Sequence, residues 1–560
     1  MIKRLLILLA LLLFASVGWG ANWCVTPSGD NSDPTCATDC ATEIAAGSCM
    51  DWSDADGTTV MTAGDTLIFS GSFTVDLDSD GDMDIGKSGT NDSNRMIFDG
   101  SDATITVSNT SGAIDIFSLN TFDWLELKDF TIRTGISYQP VRVIGATTSN
   151  QVKIHGFDME GGHLYGFRIT GSITNWEIYD NKFVYSGTGT QQSGDAILIY
   201  AGSDIKIHNN VFDNWRHGAT GINALEGAVI ERVEIYYNYY TATSNLAAGS
   251  YAVGMNEFEG SPSGINRYIA FHHNYIDGMR IFIQISDSEY VYVYGNIIAN
   301  IKNCCESAGD DGCTYANTTE CTEPNLEWYW KTGNGIRIGG VTPANIYIFN
   351  NTFHDLSEAA IFFKAGSGTI DEAYIYNNII DDAANLSAAG DSPPGSQETA
   401  SDSAIVHTDS GGSVTNWEIK NNIFNTDTGS SAQNDIYWRD DSTSHVTIST
   451  FEGLHASVAS GNISVDPGFV AGNLYPDTGS QAIENGLLLS GSPYTDGFDG
   501  LAIPSYNEVI DPDQTDFTTT PPTVVLEGQP ATWYIGAYGA AGVAVPLYPF
   551  QGAAGNFKLN

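Results

Sequence analysis

From about residue 123 to residue 427 the chain alternates apolar and polar positions in short runs that resemble one another. Aligned, the copies are Asn175–Phe183, Asp204–Phe212, Val233–Tyr240, Ile269–Ile276, Val291–Ile298, Asn345–Phe353, Ala373–Ile380 and Asn416–Phe424, with weaker ones beginning at Trp124 and Val152. Period-two alternation marks a strand with one buried face, so Ile205 and Ile207 are expected to point inward and Lys206 and His208 outward. Each run meets an asparagine: Asn181, Asn210, Asn238, Asn274, Asn296, Asn351, Asn378 and Asn422. Asparagine tolerates left-handed backbone better than most residues with a side chain, and a bend is predicted at each. The bulky residue two positions later (Phe183, Phe212, Tyr240, Ile276, Phe353, Phe424) should return the chain to the core.

Between copies sits a second motif, apolar-x-apolar followed by Gly or Ser, as in Phe167–Gly171, Ile197–Gly202, Ile336–Gly340 and Ile361–Gly366. Most copies recur at roughly 22 to 36 residues, without helical periodicity, which is too short for a propeller blade. Units of this kind must stack, and a parallel β-helix is the stack that buries every inward residue and satisfies every strand edge except the two ends. The fold class predicted is all-β: a single-stranded parallel β-helix, or solenoid, with N- and C-terminal caps. The coils resemble those of right-handed parallel β-helix proteins of the pectin-lyase-like superfamily. Val25–Gly29 and Ala63–Leu67 are similar to that family's lead into the first coil. Asp466–Phe469, Tyr475–Gly486, Asp496–Gly500 and Ile535–Tyr538 are similar to its closing segment. The resemblance implies the fold but not one activity, because the superfamily holds lyases, hydrolases, epimerases, adhesins and inert stalks.

Residues 1–20 have the pattern of a secretory signal: Lys3 and Arg4, an apolar run Leu5–Phe14, then small residues. The run is shorter than a membrane span needs, so an exported chain without membrane insertion of its mature part is expected. Beyond it, residues 21–120 read as a Cys-rich cap with the first coils, 121–445 as the β-helix interrupted by an insertion at 302–332, and 446–560 as the closing segment. A net charge of −45, from 22 Lys and Arg against 67 Asp and Glu, excludes a general nucleic-acid binder. The eight cysteines fall into two fours: Cys24, Cys36, Cys40, Cys49, and Cys304, Cys305, Cys313, Cys321. Disulfides fit an exported chain, each four allowing three connectivities; neither spacing is that of a paired zinc site.

Candidate chemistry lies in three places. The outward position before each bend reads Tyr179, His208, Tyr236, His272, Tyr294, Phe349, Tyr376, then Lys420, widened by Tyr292, Tyr347 and Tyr374. Such a ring column either stabilises the sheet by stacking or offers a platform for sugar rings, to which Trp328 and Trp330 of the insertion would add. A second group on the middle coils contains Arg216, His217, Glu257, Glu259 and Arg280. Elimination beside a uronate carboxylate needs a base and a cation, which makes Arg216, His217 and Arg280 the candidate catalytic residues. Glu257 and Glu259 resemble the calcium-holding Glu-x-Glu of some β-helical polysaccharide lyases, although the lysine base of those enzymes has no counterpart. Asp76, Asp78, Asp80 and Asp82 resemble half of an EF-hand loop, with Lys87 where the last ligand would stand. Calcium is therefore the expected cofactor. The galacturonan-hydrolase signature does not assemble around Arg216-His217-Gly218.

These features predict an exported β-helix protein that binds an extracellular polysaccharide and, if it is catalytic, depolymerises it by calcium-assisted elimination in preference to hydrolysis. The alternative is a non-catalytic adhesin or structural rod. Substrate and oligomeric state are left open.

Overall fold

The computed structural model describes residues 22–27, 49–55 and, with short gaps, 61–537; the longer stretches outside the description are 1–21, 28–48, 302–333, 384–402 and 538–560. Between Leu125 and Trp438 successive coils each contribute a strand to each of three faces. The front face carries β1 (Leu125–Lys128), β2 (Lys153–His155), β3 (Ile173–Tyr179), β4 (Gly202–His208), β5 (Val229–Tyr236), β6 (Ile265–His272), β7 (Ser288–Tyr294), β8 (Ala344–Phe349), β9 (Thr369–Tyr376) and β10 (Glu418–Lys420). After each bend a short strand, such as Lys182–Tyr185 or Val211–Asp213, enters the second face. These two faces join in one 27-stranded sheet, and the third face is a 12-stranded sheet. The coil strands pair in parallel, so this is the parallel β-helix that the repeat predicted; the antiparallel pair among the described residues, Glu508–Ile510 with Leu526–Gly528, lies outside the coils.

Parallel register stacks equivalent residues. Inward, Ile154, Ile178, Ile207, Ile235, Phe271, Val293, Ile348, Ile375 and Ile419 form one buried column. The bulky residues after the bends point inward as expected: Phe183 stacks on Phe212, and Phe212 on Tyr240, with centroids 4.9 Å apart in both cases. Each such side chain removed from water contributes roughly 1.5–3 kcal/mol.

The asparagines do something other than bend. The left-handed residue is the one before each of them: Asp180, Asn209, Tyr237, His273, Gly295, Asn350, Asn377 and Asn421 have φ between 52° and 63°. The expected bend residues instead turn their amides into the core. The Asn181 Nδ2 donates to Asn210 Oδ1 at 3.0 Å and to the Ile154 carbonyl at 3.1 Å, while the Asn181 backbone N–H also donates to Asn210 Oδ1 at 3.0 Å. The same pattern passes through Asn238, Asn274, Asn296, Asn351, Asn378 and Asn422 to Asn462. Glu452 closes the ladder, its Oε1 accepting from the Asn462 backbone N–H at 2.8 Å and from its Nδ2 at 2.9 Å. Each interior Oδ1 takes two donors and each Nδ2 serves at least two acceptors, so the buried amides are satisfied.

Helix α1 (Ile448–Leu454) covers the last coils, with Phe451 against Trp417 and Trp438. The segment after it is not a simple end cap. It runs back along the corner between front and second faces and is held by the bend column: Asn421 Nδ2 donates to the Asn485 carbonyl, Asn377 exchanges two bonds with Leu487, His273 faces the Glu508 carbonyl, and Asn209 donates to Pro522. At the other end, Asn22–Val25 pairs with Thr66–Asp76 and with Cys49–Met50, where Cys24 stands in register with Cys49. The remaining six cysteines lie outside the described residues. Among the described residues no helix is long and apolar enough to cross a membrane.

Replacing Asn274 by Leu strands the Asn238 donors and the Ile235 carbonyl inside the core. At about 1–3 kcal/mol per orphaned group, the expected loss of stability is at least about 3 kcal/mol in urea denaturation. Asn485→Ala, outside the ladder, should cost less than about 1 kcal/mol.

Candidate functional site

Two outward columns run along the front face. One reads Glu126, Lys153, Glu177, Lys206, Glu234, Ala270, Tyr292, Tyr347, Tyr374, Glu418. The other reads Lys128, His155, Tyr179, His208, Tyr236, His272, Tyr294, Phe349, Tyr376, Lys420 in the same registers. In the second, the rings from His155 to Phe349 stack continuously, with centroids 4.6–5.3 Å apart and planes within 16° of parallel.

This geometry corrects the platform expectation. His272, Tyr294, Phe349 and Tyr376 are buried. The returning segment covers this end of the column: Tyr494 meets Phe349 edge-on at 5.5 Å, the Tyr292 hydroxyl donates to the Gly497 carbonyl at 2.9 Å, and the Tyr294 hydroxyl donates to Pro504. Tyr179, His208 and Tyr236 are half-buried, but both faces of each ring are filled by ring neighbours, so no sugar can stack on them. His155, given no role by its sequence context, starts the column.

The histidines alternate with tyrosines, and each reaches a glutamate one coil back. His155 Nε2 lies 3.1 Å from Glu126, His208 Nε2 3.3 Å from Glu177, and His272 Nε2 3.3 Å from Glu234. The bond from His208 holds the Glu177 carboxyl below the ordinary range, and that from His155 does the same for Glu126. For Glu234 burial acts upward, but the bond from His272 and nearby cations outweigh it. His273, fully buried, is kept neutral by burial and by His272 beside it. Its Nε2 donates to the Glu508 carbonyl at 3.2 Å, leaving Nδ1 to accept from His272 at 2.9 Å.

Where the returning segment leaves the front face open, a groove of about 670 Å³ remains. It is lined by Asp92 and Arg95, and then by the pairs Gln151/Lys153, Asn175/Glu177, Asp204/Lys206 and Arg232/Glu234 from successive coils, with Trp124 at one end. It follows the solenoid axis. Phe498, Leu501, Ala502 and Pro504 form an apolar wall. The rim residues Trp124, Gln151, Asn175, Asp204 and Arg232 all have left-handed backbone, with φ between 55° and 60°. Asp204 and Arg232 are skipped together in the pairing of their strands, with the register unbroken on either side, where the backbone of each turns left-handed. Arg232 grips Asp204 through two bonds of 2.7 and 3.0 Å and reaches Asp499 of the returning segment at 2.8 Å. Arg95 donates twice to Asp92 and lies over the Trp124 ring at 5.4 Å. The two lysines are held more loosely: Lys153 is 3.7 Å from Glu177, and Lys206, half-exposed, is 3.6 Å from Glu234. Four basic residues thus face four acidic ones, a neutral groove in a chain of net charge −45.

The aspartates expected to bind calcium do not line this groove. Asp76 and Asp80 build a tight turn instead of a cation loop: the Asp76 side chain accepts from the Asp78 N–H, and Asp80 accepts from the Asp76 N–H. Asp78 and Asp82 do not join them in a metal-ligating cluster, and none is present among the described residues. Arg216, His217, Glu257, Glu259, Arg280, Trp328 and Trp330 lie outside the described residues.

No known family profile matches the chain, and no curated protein matches it. Among solved structures, the A-module of the mannuronan C-5 epimerase AlgE6 of Azotobacter vinelandii is similar over 72% of this chain and 91% of its own, at 12% identity and a TM-score of 0.39. The pectate lyase Pel9A is similar over 87% of this chain and 97% of its own, at 9% identity and a TM-score of 0.36. A rhamnogalacturonan lyase is similar over 72% and 87% respectively, at 14% identity and a TM-score of 0.34. What the groove can hold follows from its own residues.

Acid should loosen this face. A glutamate with a lowered folded pKa stabilises above its ordinary range and loses that contribution as pH falls through the folded value. A histidine kept neutral in the fold also favours unfolding as pH falls below its ordinary value of 6.5. Urea midpoints should therefore drop in two limbs, one below about pH 6.5 and one below the ordinary glutamate range. His273→Asn, which suits the left-handed backbone there, should flatten the first limb, and Glu177→Gln should reduce the second.

Proposed function

We propose that this protein binds an extracellular polysaccharide lying along the solenoid axis in the front-face groove. The observation that carries this reading is the pair Lys153 and Lys206, loosely held and partly exposed on the groove floor of a strongly acidic chain. An acidic glycan is repelled by most of this surface and meets neutralised charge along the groove. Trp124 at the groove end suits the apolar face of a sugar. The signal-like residues 1–20 support action outside the cell.

Depolymerisation by elimination needs a base near the sugar carbon as well as a cation on its carboxylate. The lysines can supply the cation. The histidines of the ring column are a poor source of base, since each engages a glutamate and His208 also meets Asn209 Oδ1 at 2.8 Å. A catalytic role with calcium therefore falls to Arg216, His217, Arg280, Glu257 and Glu259. The structural-rod alternative draws on the closed stacking of the rings, which is packing in either reading.

Calorimetric titration with acidic oligosaccharides tests the groove. Changing Lys153 and Lys206 together to Ala should weaken binding about tenfold, or about 1.4 kcal/mol, and raised salt should weaken it in the wild type. Unchanged affinity in the double variant would remove the groove from consideration. Unsaturated ends appearing from a uronate polymer, and abolished by chelator, would establish the catalytic version.

A further inference from the structure

Along the groove floor the charges alternate in sign at every coil, Lys153, Glu177, Lys206, Glu234, and the same column continues the alternation beyond the groove with Glu126. Adjacent equivalent positions are separated by the strand spacing of about 4.8 Å. The two lysines are thus about 9.6 Å apart, twice that spacing, with a carboxylate midway between them. A polymer group in direct contact with one floor residue, closer than the spacing of about 4.8 Å, feels that charge more strongly than its neighbours, whereas farther out the alternating signs cancel.

We infer that the groove is matched to an alternating acidic polysaccharide, in which a uronate is followed by a sugar without charge, and not to a polymer with a carboxylate on every residue. This inference rests on the glycan reading above. A pyranose unit advances a chain by a length similar to one coil, so consecutive sugars fall opposite consecutive floor residues. Uronates then meet Lys153 and Lys206. The sugar between them meets Glu177, whose Oε1 faces His208 and whose Oε2 faces Lys153, leaving lone pairs for hydroxyl or acetamido N–H donors. A homopolymeric uronate would instead place a carboxylate over Glu177. The apolar wall of Phe498, Leu501 and Pro504 can border the sugar row without adding charge. Glu126, which holds His155 as Glu177 holds His208, does not line the groove and serves as a control.

The test is calorimetric titration of the full mature chain, at 0.15 M ionic strength, with three probes of equal length. These are hyaluronan oligosaccharides, whose uronate alternates with N-acetylglucosamine, oligogalacturonate, charged on every sugar, and neutral dextran oligosaccharides. The expected order is hyaluronan at least about tenfold tighter than oligogalacturonate, with dextran weaker than both. Glu177→Gln should narrow the gap by strengthening oligogalacturonate binding, while Glu126→Gln leaves it unchanged; thermal melts report whether each variant is folded. Oligogalacturonate binding as tightly as hyaluronan, or a gap indifferent to Glu177→Gln in a folded variant, overturns the alternation and leaves the groove reading standing. No binding of any probe overturns both.

Discussion

The asparagine ladder is the constraint on which the rest of the structure depends. A solenoid has to bury a polar turn on every coil, and an unpaired amide in that position would cost more than the coil's own packing could offset. Stacking identical amides solves the problem only in register, because each Oδ1 must meet the N–H groups of the preceding coil. Any slip by one residue would break the line of bonds and move core residues to solvent. The ladder therefore sets the register, and its end at Glu452 marks where the coils stop.

In-register stacking extends outward as well as inward. The same pairing that piles Ile207 on Ile178 and Ile235 piles Lys206 on Glu177 and Glu234, and His208 on Tyr179 and Tyr236. Chemistry on this surface comes in columns by necessity. The front face divides along its length: charged over β1 to β5, aromatic over β7 to β9. The aromatic half is unsuited to water, and the returning segment covers it with Leu489, Tyr494, Phe498 and Ile503. The charged half has little to hold that segment, and the groove is what remains uncovered.

The link between the two halves runs through Arg232 and the His272–His273 pair. Arg232 ties the groove rim to Asp499, and His273 ties the bend column to Glu508. Both sit on left-handed backbone with bulky side chains, a conformation that costs of order 1 kcal/mol or more and persists where the surroundings over-determine it. Here the surroundings are the ion pairs of Arg232 and the burial of His273.

Much of the fold was legible in the sequence because alternation and recurrence are local signals. Ile205 and Ile207 face in, Lys206 faces out, and the asparagines recur where coils turn. The residue beside each asparagine makes the left-handed bend, a distinction between backbone and side-chain roles that one-letter recurrence does not carry. Asn462 continues the ladder after the repeat has faded, and only its bond to Asn422 reveals it. The groove had a readable trace in the outward column of Glu126, Lys153, Glu177, Lys206 and Glu234, two positions before the ring column. Which outward residues stay accessible was decided by tertiary structure alone, because exposure depends on where a segment hundreds of residues later lies down. The sequence by itself determined the coil and its register, which are set by local periodicity and amide pairing. The returning segment, through long-range packing on tyrosines, decided which part of the surface is left to function.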